Sequence, residues 1–324
     1  MFNVKKTEKR LEGHTFIDLF SGIGGFHLAL SSYGAKCVFA SEINAAAAKI
    51  YYKNFKLKPE GDIRRIRNKK IPKHDIICAG FPCQPFSISG NQNGFNDENG
   101  KLFFQIYRIA RYHKPKLIIL ENVKNLLTHD NGKTIEIIEN RLKKIGYTTY
   151  KTVLCATDFS VPQARKRIYI VAFRTDLEVM NFEFPKGKGK LRVVEDILED
   201  NVDISYNINN NYVLDNNKIV DGTKKSKLFR VGAIGLGRQG ERIYSVKGQG
   251  ITLSSQGGGI GGKTGMYYVH NNVRKLTPRE CARMMGFPEK FKLADSDAEC
   301  YKQFGNSVVV NVVQEIVAQA SKFI

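Results

Sequence analysis

Short apolar runs alternate with segments of helical spacing along the first half of the chain. Thr15–Phe20, Ala35–Ser41, His74–Ala79, Lys116–Leu120, Thr148–Cys155 and Ile168–Phe173 read as buried strands. Between them, the stretch through Ser32, Ala45 to Asn54, Lys101 to His113 (with Leu102, Phe103, Ile106 and Ile109 on one face) and Thr134 to Ile145 read as helices. Such alternation predicts an α/β domain around a largely parallel sheet. The pattern changes near Pro185. Lys186–Lys190 reads as a basic linker, Asn201 to Asn217 is asparagine-rich, and Gly232 to Gly265 is dense in glycine, with short strand-like runs at Arg242–Val246 and Met266–Val269. Thr277-Pro278-Arg279-Glu280 has the form of a capping box with proline in the first turn, so a helix starts there and stops at Gly286. An apolar helix closes the chain near Lys322. We expect residues 1–192 and 279–324 to form one domain and residues 193–278 a smaller, loop-rich β domain.

The candidate chemistry sits where the expected strands end. Cys83 lies between Pro82 and Pro85, just past a buried strand and Gly80, so a thiol is presented on a stiff backbone at the sheet edge where open α/β folds place ligands. A single cysteine is more often a small core residue, and only its company changes that reading. Ser21-Gly22-Ile23-Gly24-Gly25 is a glycine turn between strand and helix, but His27 stands where a dinucleotide-binding fingerprint needs its third glycine, so a pyrophosphate is not the obvious ligand. Glu42, about twenty residues on, suits a ribose diol, Asn44 can cap the alanine-rich helix, and Asp62 offers a second carboxylate. Ser87 to Gly100 reads as a long loop of the kind that forms lids. Glu121 ends the strand expected beside the Cys83 strand. Arg165 and Arg167, two residues apart before a strand, are expected on one side of an extended chain, where they can hold a phosphate or a developing negative charge.

Composition adds a partner. Lys and Arg number 51 against 31 Asp and Glu, a formal charge of +20, which points to a polyanion, with nucleic acid first. Arginine and glutamine on the glycine-rich loops are suited to base edges in a major groove. The absence of a membrane-length apolar span and of a signal-type N-terminus predicts a cytoplasmic protein. Six cysteines scattered without paired spacing argue against a disulfide framework and a metal site.

Together these segments resemble the DNA cytosine-5 methyltransferases, in the family's order and over nearly the whole chain. The matching motifs are Asp18-Leu19-Phe20-Ser21-Gly22-Ile23-Gly24-Gly25, Gly80-Phe81-Pro82-Cys83-Gln84-Pro85-Phe86-Ser87, Glu121-Asn122-Val123, Gln163-Ala164-Arg165-Lys166-Arg167, Arg279-Glu280-Cys281-Ala282-Arg283 and Gly305-Asn306-Ser307-Val308. The resemblance is closest to the short bacterial HhaI type and extends to Gly240-Glu241-Arg242-Ile243-Tyr244-Ser245 and Gly257-Gly258-Gly259-Ile260. It implies a Rossmann-like mixed sheet with helices on both faces and an S-adenosylmethionine pocket, plus a target-recognition domain. It further implies that Cys83 attacks C6 of cytosine, that Glu121 binds the N3 and amino edge, and that Arg167 with Arg165 holds the base and Glu121.

By the same resemblance Asp18, Phe20, Gly22, Ile23, Gly24, Gly25, Glu42, Ile43, Asp62, Ile63, Gly80, Pro82, Leu102, Asn306 and Val308 form the donor pocket, with S-adenosyl-L-homocysteine as product and no metal. Ile43 stands where the HhaI type has an aromatic residue. Ser87, Ser89, Arg230, Gln239, Arg242, Gln256 and Gly257 would contact duplex DNA. Ser89 and Gln239 match the positions that fill the space left by an extruded base. The implied target is GCGC, with the first cytosine methylated, although Leu236, Arg238 and Gln256 depart from the HhaI type. The implied biology is a monomeric type II modification enzyme with a separate cognate endonuclease. A tRNA cytosine-5 methyltransferase and a catalytically silent DNA-binding protein are the alternatives; the glycine-rich segment disfavours the first, and the joint presence of Cys83, Glu121 and Arg167 the second.

Overall fold

A computed structural model describes residues 9–82, 102–187, 189–219, 223, 227–257, 262 and 264–324. The chain divides into two compact units. One contains the described chain up to Leu154, then Lys166–Lys186 and Val312–Ile324; the other contains Cys155–Arg165 and Gly187–Asn311.

The first unit is built on a six-stranded sheet of β1 (Thr15–Leu19), β2 (Lys36–Ser41), β3 (Ile76–Gly80), β4 (Leu117–Val123), β5 (Tyr147–Cys155) and β6 (Lys166–Arg174), in the order β2-β1-β3-β4-β6-β5. β1 pairs in parallel with β2 and β3, and β3 with β4, whereas β4 and β6 are antiparallel. The contiguous apolar runs Ile76–Ala79 and Leu117–Leu120 are fully buried, as strands covered on both faces must be. The covering helices include α1 (Gly25–Ser32), α2 (Ala45–Phe55), α3 (Phe103–His113) and α4 (Lys133–Lys144). α3 turns Phe103, Ile106, Ile109 and Ala110 inward, and α4 does the same with Ile135, Ile138 and Leu142. These side chains share one core with Ile17, Ile77, Ile118 and Ile170 of the sheet. Asn44 caps α2, its Oδ1 accepting from the Ala47 N–H at 2.9 Å.

From β1 the chain goes to one side to make β2 and to the other to make β3. That reversal opens a crevice at the carboxyl ends of the parallel strands, where α/β sheets bind ligands. Phe20, Glu42, Gly80 and Glu121 all emerge on this edge.

The second unit carries a sheet of β7 (Tyr212–Leu214), β8 (Arg230–Ile234), β9 (Arg242–Ser245), β10 (Met266–Val269) and β11 (Asn272–Arg274), ordered β11-β10-β9-β8-β7, together with α5 (Asn216–Ile219), α6 (Pro278–Met284) and α7 (Asp297–Asn306). Its sheet core is small: Val231, Ile243, Met266 and Val273. The expected capping box forms, with Thr277 Oγ1 accepting from the Glu280 N–H at 3.1 Å. Glu280 is fully buried and paired with Arg274 through two contacts of 2.7 Å, so the start of α6 is tied to β11. β8, β11 and α7 were not expected from the sequence. The segment read as a linker is exposed at Lys186, Gly189 and Lys190 but tied down at one point, where Gly189 N donates to Asp158 O at 2.9 Å. α8 (Val310–Ala320) ends the fold. Among the described residues no helix is long and apolar enough to cross a membrane.

Burial lowers the His74 imidazole, whose Nδ1 sits 2.7 Å from Pro72 O, from 6.5 to about 4. A depressed histidine is neutral in the fold and charges more readily when unfolded. Its contribution is therefore complete above pH 6.5 and is lost as pH falls through about 4. His74→Phe should cut the stability difference between pH 7 and pH 5, read by urea unfolding, by about 2 kcal/mol; an unchanged difference contradicts the assignment.

Candidate active site

The loop after β1 is strained on its own terms. Phe20 adopts a φ of 56°, which disfavours a side chain, and Gly22 and Gly24 follow at 53° and 90°. Ser21 N donates to Ser41 O at 3.0 Å and Gly24 N to Ser21 O at 2.9 Å, which closes the turn onto β2. A Cβ at Gly24 would collide with the Phe55 ring, so only glycine fits. Phe55 in turn stacks on His27 with centroids 3.9 Å apart, and His27 Nδ1 shares a hydrogen bond of 2.7 Å with the Tyr51 hydroxyl. This aromatic support under the loop was not foreseen. Its one trace in the sequence is the pair Tyr51 and Phe55, a helical turn apart.

Glu42 closes the same pocket edge. Its Oε2 accepts from Gly22 N at 2.8 Å and its Oε1 from Asn44 N at 2.7 Å, so the carboxylate is fixed between loop and helix while each oxygen keeps a lone pair. Ile43 beside it is 71 % exposed, an apolar face turned to solvent. Asp18 lies fully buried beneath, and burial, with the Glu42 charge second, drives its carboxyl well above the usual range. Ile23, Gly25, Ile63 and Leu102 are buried, and Gly80 and Pro82 are half-buried. Asp62 is held by Arg64, which donates through Nε at 2.9 and 3.0 Å. That hydrogen bond keeps the acid below its normal pKa.

Gly80 of β3 is the register partner of Glu121 on β4, which places the strand leading to Cys83 beside the glutamate. Glu121 is buried inside β4, because the strand runs on to Val123. Across the antiparallel pair Arg167 stands opposite Val123, diagonal to Glu121 on the same face, and its Nε lies 3.2 Å from Glu121 Oε1. Asn122, on the other face, donates from Nδ2 to Phe81 O at 3.1 Å and so ties β4 to the chain just before Cys83. Cys83, Ser87 and Ser89, with the rest of the expected lid, lie outside the described residues.

Arg165 does not run in step with Arg167. Arg165 N donates to Gln163 O at 2.8 Å, so the chain turns here and the two-residue alternation expected of an extended segment does not apply. The Arg165 guanidinium is buried and donates to Leu253 O at 3.3 Å, Gly305 O at 3.1 Å and Ser307 O at 2.8 Å. Gln163 assists: its Oε1 accepts from Leu253 N at 3.0 Å and its Nε2 donates to Met284 O at 3.2 Å. This brace within the second unit fixes the Gly305–Ser307 segment, in which Asn306 is exposed; Val308, next in the chain, is buried. Arg230, Gln239 and Gln256 are exposed in the same unit, whereas Arg242 and Gly257 are half-buried. Among the described residues no cluster of metal-ligating side chains occurs.

Removing the Arg167 guanidinium should leave the Glu121 carboxylate in a largely dry setting without its cationic neighbour. Arg167→Met should destabilise the fold by about 3 kcal/mol in urea unfolding at pH 7. A loss below about 0.5 kcal/mol would show that the pairing is not what stabilises the site.

The geometry has known counterparts. Residues 14–322 match the family described as C-5 cytosine-specific DNA methylase. The type II methyltransferase M.HhaI of Haemophilus parahaemolyticus is 50 % identical over 95 % of this chain and 94 % of its own length. M.HpaII of Haemophilus parainfluenzae is 40 % identical over 97 % of this chain and 91 % of its own. Among solved structures, the methyltransferase EhMeth of Entamoeba histolytica superposes with a TM-score of 0.75 at 24 % identity, covering 94 % of this chain and 97 % of that one, which shows the shared fold. With a matched region that includes both Glu121 and Arg167 and runs through the glycine turn and the Cys83 motif, the chain belongs to the DNA cytosine-5 methyltransferases.

Proposed function

We propose that the chain methylates C5 of a cytosine in duplex DNA with Cys83 as nucleophile, Glu121 as the group that binds the cytosine edge, and Arg167 as the cation that holds Glu121. The observation that carries this reading is the placement of Glu121: in register with Gly80 on the Cys83 strand and 3.2 Å from Arg167.

The residues around the glycine turn suit S-adenosylmethionine as donor. Two carboxylates, Glu42 and Asp62, line the edge, and the nearby Arg64 is engaged by Asp62, so the donor set favours a ribose and a cation over a phosphate. Glu42 offers its free lone pairs to the ribose hydroxyls, Ile43 its exposed side chain to the adenine face, and Asp62 with Ile63 the adenine edge. Phe20 and Gly22 to Gly25 shape the turn that admits the methionine part, with Asp18 beneath. Gly80, Pro82, Leu102, Asn306 and Val308 complete the set. When bound, S-adenosylmethionine supplies an electrophilic methyl group and leaves as S-adenosyl-L-homocysteine.

C5 of cytosine is too weak a nucleophile until C6 is attacked. The Cys83 thiolate forms a bond to C6, and the electron pair of the C5–C6 double bond moves toward C5 and N3. Glu121, hydrogen-bonded to N3 and the amino group, stabilises the resulting enamine. After methyl transfer to C5, a base removes the C5 proton and the S–C6 bond breaks, which restores the ring and the thiolate. A stacked cytosine is out of reach of this edge, so the base is extruded, with Ser89 and Gln239 filling the space it leaves. Ser87, Arg230, Arg242, Gln256 and Gly257 contact the DNA. The braced position of Arg165 supports a positioning role, through the Gly305–Ser307 segment, rather than direct contact with the base.

Similarity to type II methyltransferases supports a modification enzyme; we further take it to be monomeric and cytoplasmic, to protect DNA from a cognate endonuclease, and to have GCGC as its site. Bisulfite sequencing of DNA treated with the protein and S-adenosylmethionine should show 5-methylcytosine at one motif, the first cytosine of GCGC. Absence of 5-methylcytosine at every motif on DNA, or methylation of tRNA alone, would overturn the reading. Cys83→Ser should lose at least about a thousandfold in turnover while retaining DNA binding; methylation at the normal rate would remove Cys83 from the mechanism.

A further inference from the structure

The hairpin between β8 and β9 ends in Ile234-Gly235-Leu236-Gly237, and Gly237 N donates to Ile234 O at 3.0 Å to close a tight turn. Gly235 and Gly237 have φ of 51° and 68°, a backbone that favours glycine, so the turn is set by sequence and Leu236 is its tip. Leu236 is 82 % exposed, more than any other large apolar side chain among the described residues. A single exposed leucine is ordinary; what distinguishes this one is its support. The Arg230 guanidinium packs where a Cβ on Gly237 would be, and Arg242 Nε donates to Gly237 O at 3.2 Å. Glu241 Oε2 accepts from Arg238 N at 2.8 Å and fixes the chain just beyond. An apolar tip is thus held on a braced turn among three arginines, next to Gln239.

We infer that Leu236 is a wedge that enters the base stack of duplex DNA beside the extruded cytosine, an inference that rests on the reading of this hairpin as a DNA-facing surface. The arginines draw the turn to the phosphates, where a polar tip would serve as well as a leucine. Between the faces of a base step an apolar side chain gains, because it covers stacking surface exposed when the step opens, whereas Ser89 and Gln239 are assigned to the space that the extruded base itself leaves. Leu236 then makes extrusion easier without touching the reacting atoms, which makes it a positioning residue.

The test uses the full-length protein at saturating concentration and measures single-turnover methyl transfer to two duplexes that differ only in the base opposite the target cytosine, guanine or adenine. A mispaired base needs less work to extrude. Leu236→Gly should transfer about tenfold more slowly than the unmodified protein on the paired duplex and within about twofold of it on the mispaired one, while Leu236→Met keeps pace on both. Equal slowing on both duplexes, or no slowing on the paired one, overturns the wedge. Failure of the unmodified protein to methylate either duplex would instead sink the functional reading beneath it.

Discussion

The site depends on one ion pair spanning two antiparallel strands. Glu121 sits inside a buried strand, where a charged group is costly to desolvate unless it is paired. Arg167, supplied by β6 and diagonal to it, offsets that cost at 3.2 Å. The antiparallel insertion of β6 beside β4 is what brings this cation to the edge formed by β3 and β4. Asn122, facing the other way, uses the same strand to hold Phe81 and the chain leading to the thiol.

The donor side is organised differently, by close packing. The turn after β1 approaches α2 so closely that Gly24 admits no side chain, and the ring it meets, Phe55, is itself stacked on His27. Glu42 then joins loop to helix by accepting one amide hydrogen from each. A strained Phe20 persists because its neighbours on both sides are fixed. In the second unit, Arg165 does the corresponding work with three main-chain carbonyls.

Much of this was legible in the sequence because buried parallel strands leave contiguous apolar runs. Ile76–Ala79 and Leu117–Leu120 sit where the pattern placed them, and the Thr277 capping box and the Asn44 cap formed as local chemistry dictates. The DNA cytosine-5 methyltransferase family was legible too, from the order of its motifs. What escaped depends on contacts between distant residues. Arg165 and Arg167 look alike on paper. The turn that separates their fates is set by Gly250, whose carbonyl accepts from Ala164 N at 2.9 Å. β8 and β11 are short strands that only a sheet partner defines, and α7 presents Cys300, Tyr301 and Phe304 from an otherwise polar stretch. Likewise the contact between Gly24 and Phe55 has no signature at either residue alone.

The central claim is that a thiol and a carboxylate, delivered by neighbouring strands, act on one cytosine ring. Duplex DNA carrying 5-fluorocytosine at the target tests it directly, because fluorine cannot leave C5 as a proton does and the S–C6 bond then cannot break. With S-adenosylmethionine present the protein should form a denaturation-stable adduct whose modified peptide, read by mass spectrometry, contains Cys83. Absence of the adduct from an enzyme that methylates ordinary DNA, or attachment at another residue, would contradict the account.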